Sequence, residues 1–303
     1  MKELQYLINQ YIEKGLYPGA EWKIMHKEKV FQDKAGCLNL LTGKPLLSNS
    51  LYRIWSMTKP IVSVVILQLI EEHKIHLDDA ITDYLPQFSN LKVLKYNNSD
   101  ISNVVDIKNM PTIKDLLSHT AGFSYNFLGD AVAKEYDRVG LFHSSDTTLE
   151  EEINLLSTIP LLHQPSTKWV YSVSVDVLAR IIEIVTEELL QTQLEKRIFK
   201  PLGMQDTGFS VTPENLHRLM TSYEFDPLHK KLNDPSSSPQ QIGGYGYPTN
   251  ISTYARGGHG LFSSLEDYSK FAQMLLTGKT KTGTKIISDS MLKMATTNHL
   301  KSS

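Results

Sequence analysis

Residues 53–79 read RIWSMTKPIVSVVILQLIEEHKIHLDD, and the apolar run inside this stretch decides the fold. Residues 61–70, IVSVVILQLI, contain only two polar side chains, which predicts a helix over 56–72 that is buried on every side. The run is too short for a membrane-spanning helix, which needs about 20 apolar residues. The stretch therefore predicts the central helix of a globular core, with Ser56 and Lys59 at its first turn.

Ser56 and Lys59 form a pair that is suited to nucleophilic catalysis. Residues three positions apart share one face of a helix, so the hydroxyl and the amine can meet. The positive helix dipole and burial both favour the uncharged lysine, which can accept the serine proton. The Ser56 backbone N–H could also supply one donor of an oxyanion hole. The same spacing recurs at Ser290 and Lys293 on an ordinary amphipathic helix, so spacing alone also allows a purely structural interpretation.

Composition narrows the classes of function. The 303 residues include 31 basic and 33 acidic side chains, for a formal net charge of −2. This balance provides no extended basic surface, so neither nucleic acid nor membrane insertion is expected. Cys37 is the only cysteine, which excludes an intramolecular disulfide and a cysteine-based metal cluster. The N-terminus lacks the apolar core of a signal peptide, so a cytoplasmic location is expected. A protein without a cofactor is also expected.

Apolar periodicity and Pro/Gly punctuation predict the remaining elements. Helices are expected from the N-terminus to near Gly15–Gly19 and over 111–122, 174–190 and 264–278, and two strands within 21–36. Polar composition predicts exposed loops at 95–103 and 229–248. A few early strands followed by a mostly helical middle indicate a sheet-bearing lobe with a helical lobe inserted into it.

Five blocks of sequence, in this order, carry a family resemblance: RIWSMTKP (53–60), LLSHTAG (116–122), WVYSVSVDVLARIIEIV (169–185), RIFKPLGMQDTGF (197–209) and GGHGLFSSLEDYSKFAQML (257–275). Over roughly residues 5–300 the chain resembles the serine β-lactamase/penicillin-binding-protein superfamily, and most closely its class C-like branch of family VIII carboxylesterases. The resemblance implies an α+β, β-lactamase/transpeptidase-like fold with an antiparallel sheet flanked by helices. It also implies one domain of two lobes, an α/β lobe of residues 1–70 and 250–303 and a mostly helical lobe of 71–249.

The resemblance implies a catalytic set of Ser56, Lys59 and Tyr171. In that family the serine of the Ser-x-x-Lys motif is the acylated nucleophile, the lysine is its base, and the tyrosine of the second motif assists proton transfer. Considered alone, Tyr171 would be interpreted as a core aromatic beside Trp169. The surrounding VYSVSVDVLARII block favours the catalytic interpretation.

The substrate-binding residues implied by the resemblance are Tyr125, Val173 and His259. Val173 replaces the asparagine that β-lactamases and penicillin-binding proteins carry in their second motif, which favours carboxylic esters over β-lactams. Tyr125 and Phe127 are expected to form an apolar wall. His259 stands where the family usually has a small residue; it is a candidate to line the pocket, but a surface or packing role is favoured. His119 is expected to hold a turn by hydrogen bonds.

Several literal motif matches are predicted to lie outside the site: Tyr96-Asn97-Asn98 in a polar loop, Lys281-Thr282-Gly283 in a turn between helices, and the possible metal ligands His73, His76, Asp78 and Asp79 at a solvated helix end. The family's third motif, a Lys/His/Trp-x-Gly on a sheet strand, is expected beyond the sequence. The resemblance then implies that the last strands of the family fold are missing from this chain.

The sequence thus predicts a serine hydrolase that cleaves small carboxylic esters through an acyl-enzyme on Ser56, without metal or cofactor. Hydrolysis of β-lactams or D-amino-acid peptides in the same fold is an alternative. A catalytically silent scaffold is another, because the third motif is absent. The expected partner is a small-molecule ester or amide, while the acyl chain, the alcohol and the oligomeric state stay open.

Overall fold

The computed structural model describes residues 1–97, 99–142, 147–233 and 255–300. The α-helices there are α1 (Lys2–Glu13), α2 (Thr58–Glu71), α3 (Ile113–Leu117), α4 (Ala131–Arg138), α5 (Leu149–Leu156), α6 (Ser174–Thr186), α7 (Leu190–Leu194), α8 (Lys200–Leu202), α9 (Leu265–Thr277) and α10 (Asp289–Ala295). The strands are β1 (Gly19–His26), β2 (Lys29–Asn39), β3 (Lys44–Pro45), β4 (Leu51–Arg53), β5 (Lys92–Leu94), β6 (Val104–Asp106), β7 (Glu224–Asp226), β8 (Lys231–Asn233) and β9 (Phe262–Ser264). The predicted α+β class is confirmed.

Small antiparallel sheets bring distant parts of the chain together. β1, β2 and β3 form a three-stranded sheet, and the β1–β2 register runs from Gly19 opposite Gly36 to His26 opposite Lys29. β4 pairs with β9, far along the sequence, with Tyr52 opposite Ser263. This pairing places the residues just after β4 beside the residues just before β9. Those two segments contain the Ser-x-x-Lys pair and the GGH block, respectively.

Helix α2 lies at the centre of the hydrophobic core, as its apolar run predicts. Five of its apolar side chains have 0% exposure: Ile61, Val62, Val65, Ile66 and Leu69. It packs against α6, whose Val177, Leu178, Ile181 and Ile182 are also fully buried. Pro60 lies in the first turn of α2, where a missing N–H costs no helical hydrogen bond. The buried centre of the helix fixes the position of its first turn, which is where the polar pair lies.

Two of the predicted elements are corrected by the structure. The helix expected over 174–190 ends at Thr186, because Glu187 has left-handed backbone (φ 55°). Residues 229–233, expected within a loop, include β8, which pairs with β7. The Asp226 carboxylate accepts backbone N–H groups from Leu228 and His229 at 2.9 and 3.1 Å, and this tight turn makes the hairpin possible. The rest of that expected loop, 234–248, lies outside the described residues.

The other predicted elements agree with the structure in place, though not always in length. The helix expected over 111–122 is the five-residue α3, Ile113–Leu117, and residues 95–103 connect the hairpin strands β5 and β6. Among the described residues, no helix is both long enough and apolar enough to cross a membrane. The division into lobes at about residues 70 and 250 stays a prediction.

Candidate active site

Ser56 lies in a short 3-10 turn, Trp55–Met57, that leads directly into α2. Trp55 has left-handed backbone (φ 45°), a conformation that is uncommon for a residue other than glycine. The entrance is held by the Thr58 hydroxyl, which donates to the Trp55 carbonyl at 2.7 Å, and by the Ile54 N–H, which donates to the Leu261 carbonyl at 3.0 Å. The tight entry leaves Ser56 exposed at the mouth of a buried helix. Strained backbone of this kind is common at functional sites.

Lys59 reaches back to Ser56 from one turn further along. Its Nζ lies 3.2 Å from Ser56 Oγ and donates to the Gly258 carbonyl at 2.6 Å. The residue is only 7% exposed, and Nζ lies 5.1 Å from the ring centroid of Tyr125 and 4.7 Å from that of Tyr171. Burial disfavours an ammonium group, whereas the carbonyl and the two ring faces stabilise it. An exposed hydroxyl in contact with a nearly buried amine is the arrangement of an activated nucleophile.

Aromatic rings form one side of this site. Tyr171 stacks on Tyr125 with ring centroids 5.7 Å apart, and Phe127 stacks on Tyr125 at 4.7 Å. Phe127 is 67% exposed, so its outer face is free to contact another molecule. His119 lies against the other side of Tyr171 with a centroid distance of 5.0 Å. The structure thus brings the Tyr171 ring to Lys59 and stacks Phe127 on Tyr125, while their role as a wall for substrate stays a prediction.

Two histidines flank the tyrosines, His259 buried and His119 partly buried, and both favour the neutral form. His259 Nδ1 lies 2.9 Å from the Tyr125 hydroxyl, and burial together with the charge of Lys59 lowers the pKa of His259 to about 3. The same two causes lower the pKa of His119 to about 4. His119 Nδ1 accepts the backbone N–H of Ser172 at 3.2 Å, which fixes the chain next to Tyr171. The His119 side chain therefore bonds to the distant Ser172 and not, as was expected, within its own turn, and it lies beside the Tyr171 ring.

Asp176 is a residue of the site that the sequence did not identify. It lies in the first turn of α6, is fully buried, and its Oδ1 accepts the backbone N–H of Gly258 at 2.9 Å. Burial raises the pKa of Asp176, and the charge of Lys59 opposes that rise. The only signal in the sequence is one acidic residue inside the apolar stretch VSVDVLARII, five positions after Tyr171. Its partner, Gly258, is 82 residues away, so spacing could not reveal the contact.

The Gly257–Gly258 pair allows the chain to approach α6 closely. A Cβ atom on Gly257 would lie 2.3 Å from the Val175 carbonyl oxygen. A Cβ atom on Gly258 would lie 2.3 Å from Asp176 Oδ2. Real Cβ atoms do not approach other atoms so closely, so the packing requires glycine at both positions.

Three further positions named from the sequence have no contact with the Ser56–Lys59 pair among those described above. Val173 precedes α6 with a side chain of 0% exposure, and its N–H donates to the Ser124 carbonyl at 3.1 Å, so its role in substrate binding stays a prediction. Residues 281–283 are exposed in a turn closed by the bond from the Thr280 N–H to the Thr284 carbonyl (2.8 Å). Tyr96 is 64% exposed in its loop; Asn98 lies outside the described residues.

The suspected metal ligands near residue 76 serve a turn. The Asp79 carboxylate accepts the His76 backbone N–H at 2.6 Å and also the hydroxyl of Tyr84. In the described parts of the chain, no group of three or more His, Cys, Asp or Glu side chains could hold a metal ion.

Comparison with known proteins shows the family. A family model described as Beta-lactamase matches residues 4–300, so the chain belongs to the beta-lactamase family. Lovastatin esterase of Penicillium rubens (strain ATCC 28089 / DSM 1075 / NRRL 1951 / Wisconsin 54-1255) is 32% identical, with a match that covers 82% of this chain and 61% of that protein. Protein Rv1367c of Mycobacterium tuberculosis (strain ATCC 25618 / H37Rv) is 29% identical over 97% of this chain and 71% of its own length.

A solved structure adds the three-dimensional comparison. EstCE1, described as a hydrolase with promiscuous acyltransferase activity, superposes with a TM-score of 0.78 at 26% identity and covers 96% of this chain and 75% of its own. The predicted superfamily and fold are confirmed. The chain is thus a β-lactamase-fold protein related to esterases and acyltransferases, and it spans about 60–70% of the length of the two curated relatives.

Proposed function

We propose that this chain is a serine esterase that cleaves small carboxylic esters through an acyl-enzyme on Ser56. The observation that carries the proposal is the distance of 3.2 Å between Lys59 Nζ and the exposed Ser56 Oγ. That distance is within the reach that a base needs to remove the hydroxyl proton. Kinship with esterases supports the same reaction class.

The proposed chemistry is a two-step acyl transfer. The uncharged amine of Lys59 takes the Ser56 proton while Oγ bonds to the ester carbonyl carbon, and the carbonyl oxygen carries the negative charge of the tetrahedral intermediate. When the intermediate collapses, the ester C–O bond breaks and the alkoxide receives the proton from Lys59 by way of Tyr171. Water then attacks the acyl carbonyl carbon and gives its proton to the same pair. The acyl C–Oγ bond breaks, Ser56 Oγ takes that proton back, and the carboxylic acid leaves.

The second motif favours esters over β-lactams. At the position where β-lactamases and penicillin-binding proteins carry an asparagine, Val173 is fully buried and offers no amide group. The exposed ring of Phe127 beside Tyr125 provides an apolar surface of the kind that suits an acyl chain or an alkyl alcohol. Nitrocefin is therefore expected to be a poor substrate compared with p-nitrophenyl butyrate.

A second candidate reaction is transfer of the acyl group to an alcohol instead of water. It is favoured by the relation to EstCE1, whose description includes promiscuous acyltransferase activity. Formation of methyl butyrate from p-nitrophenyl butyrate in dilute methanol would support it. Release of butyric acid alone would leave hydrolysis as the activity.

The test compares wild type, Ser56→Ala and Ser290→Ala, because Ser290 has the same Ser-x-x-Lys spacing in an ordinary surface helix. Hydrolysis of p-nitrophenyl butyrate should disappear in Ser56→Ala and persist in Ser290→Ala. No turnover by a folded wild type would favour the silent-scaffold alternative. Nitrocefin turnover equal to ester turnover would favour the β-lactam alternative.

A further inference from the structure

Asp176 is a fully buried carboxylate in the first turn of α6. Its neighbours in sequence, Val175 and Val177, are 2% and 0% exposed. A carboxylate buried in such surroundings destabilises the fold unless hydrogen bonds or opposite charges compensate. Because burying this carboxylate lowers the stability of the fold, its presence requires an explanation other than packing.

One residue, Gly258, connects Asp176 to Lys59. The N–H of Gly258 donates to Asp176 Oδ1 at 2.9 Å, and its C=O accepts from Lys59 Nζ at 2.6 Å. Because both bonds involve the same glycine, the position of the carbonyl depends on the hydrogen bond to Asp176. The geometry therefore links the carboxylate on α6 to the amine on α2 through the backbone of a third segment.

The direction of the Lys59 amine matters for the proposed reaction. An uncharged amine has two N–H groups and one lone pair in a tetrahedral arrangement. When one N–H is held by the Gly258 carbonyl, only the remaining directions can face Ser56 Oγ, which lies 3.2 Å away. A carbonyl held in a fixed position thus keeps the amine in orientations in which its lone pair faces the Ser56 hydroxyl proton.

We propose that Asp176 is a positioning residue that, through the backbone of Gly258, orients the Lys59 amine toward Ser56. The assignment rests on the proposed function, because orientation matters only if Lys59 is the base. Asp176 does not contact the reacting atoms itself.

Charged and titratable groups from several elements surround Asp176. Lys59 approaches from α2, Arg256 from the segment before β9, and Tyr125 from the loop after α3, and each interacts electrostatically with the carboxylate. A role as a simple counter-ion for Lys59 and Arg256 is therefore the competing explanation. The two explanations differ in which variant keeps activity, because Asn retains a hydrogen-bond acceptor but no charge.

The experiment measures kcat and KM for p-nitrophenyl butyrate in Asp176→Asn and Asp176→Val. Loss of the acceptor in Asp176→Val should lower kcat about 100-fold, as expected for a misplaced catalytic group, with KM within about threefold of wild type. Asp176→Asn should stay within about tenfold of the wild-type kcat, because the amide oxygen can still accept from Gly258. Glu183→Gln, on the same helix, is the control that should leave both constants unchanged.

Three kinetic results would overturn the proposal: a wild-type kcat in folded Asp176→Val, a loss confined to KM, or a loss in Asp176→Asn as large as in Asp176→Val. A measurement that needs no enzymatic turnover tests the link between Asp176 and Lys59 independently of the esterase assignment. In protein labelled with ¹⁵N-glycine, the Gly258 amide signal should shift in both Asp176→Asn and Lys59→Met. If neither variant shifts it, the link through Gly258 is wrong whether or not the protein cleaves esters.

Discussion

Acidification from pH 6.5 to pH 5 should destabilise the protein through His259, which is buried, and His119, which is partly buried. The pKa of His259 is lowered to about 3 and that of His119 to about 4, chiefly by burial and then by the charge of Lys59. A histidine in the unfolded chain titrates near 6.5, so at pH 5 the unfolded state binds protons that the folded state does not. The free energy of unfolding therefore begins to fall below about pH 6.5, and the loss grows until the pH passes the folded-state pKa.

The size of this effect follows from about 1.4 kcal/mol for each pH unit and each group. Between pH 6.5 and pH 5 each histidine then removes about 2 kcal/mol, and together they remove about 4 kcal/mol. That loss is a large fraction of the 5–15 kcal/mol that is typical of a folded domain. The free energy of unfolding should therefore be measurably lower at pH 5 than at pH 6.5.

Urea unfolding at pH 7.5 and pH 5.0 measures the effect. The double variant with His119→Asn and His259→Asn keeps a polar atom near each Nδ1 but cannot titrate. Its free energy of unfolding should differ between the two pH values by about 4 kcal/mol less than that of wild type. His217→Asn, at an exposed position, should behave as wild type. Equal pH dependence in the double variant and wild type would refute the reasoning.

Two further substitutions test the site and its packing. Tyr171→Phe should lower kcat for p-nitrophenyl butyrate about 100-fold or more, because it removes the hydroxyl group proposed to transfer the proton. Tyr96→Phe, in its exposed loop, is the control and should keep the wild-type kcat. Equal activity of the two variants would argue against a role for the Tyr171 hydroxyl. Gly257→Ala should lower the free energy of unfolding in urea by about 1–3 kcal/mol, because its Cβ would lie 2.3 Å from the Val175 carbonyl oxygen. Gly208→Ala, whose Cβ would meet nothing closer than 3.9 Å, is its control, and an equal effect of the two would contradict the packing explanation.

Local patterns were sufficient to predict α2 and the polar pair at its start. All residues of the run IVSVVILQLI except Ser63 and Ile70 are buried, and the meeting of Ser56 with Lys59 follows from helix geometry. The ordered blocks then indicated Tyr171, Tyr125 and His259, which the structure brings to Lys59 or to one another.

Contacts between distant segments could not be predicted from these patterns. Asp176 meets Gly258 only because α6 packs on α2 and β9 pairs with β4, and both are properties of the whole fold. The left-handed backbone of Trp55 has no signature, since residues other than glycine rarely adopt it. The end of α6 was misplaced for a similar reason, because the apolar pattern continues past Glu187 while the backbone turns there.

Covalent labelling of Ser56 tests the central claim most directly. A fluorophosphonate probe reacts with activated serine hydroxyls, and intact-mass and peptide mass spectrometry locate the adduct. A single adduct is expected on the peptide that contains Ser56. It should be absent in Ser56→Ala, form much more slowly in Lys59→Met, and be unchanged in Ser290→Ala. An adduct on another residue, or an equal labelling rate in Lys59→Met and wild type, would contradict the assignment of Ser56 as a nucleophile activated by Lys59.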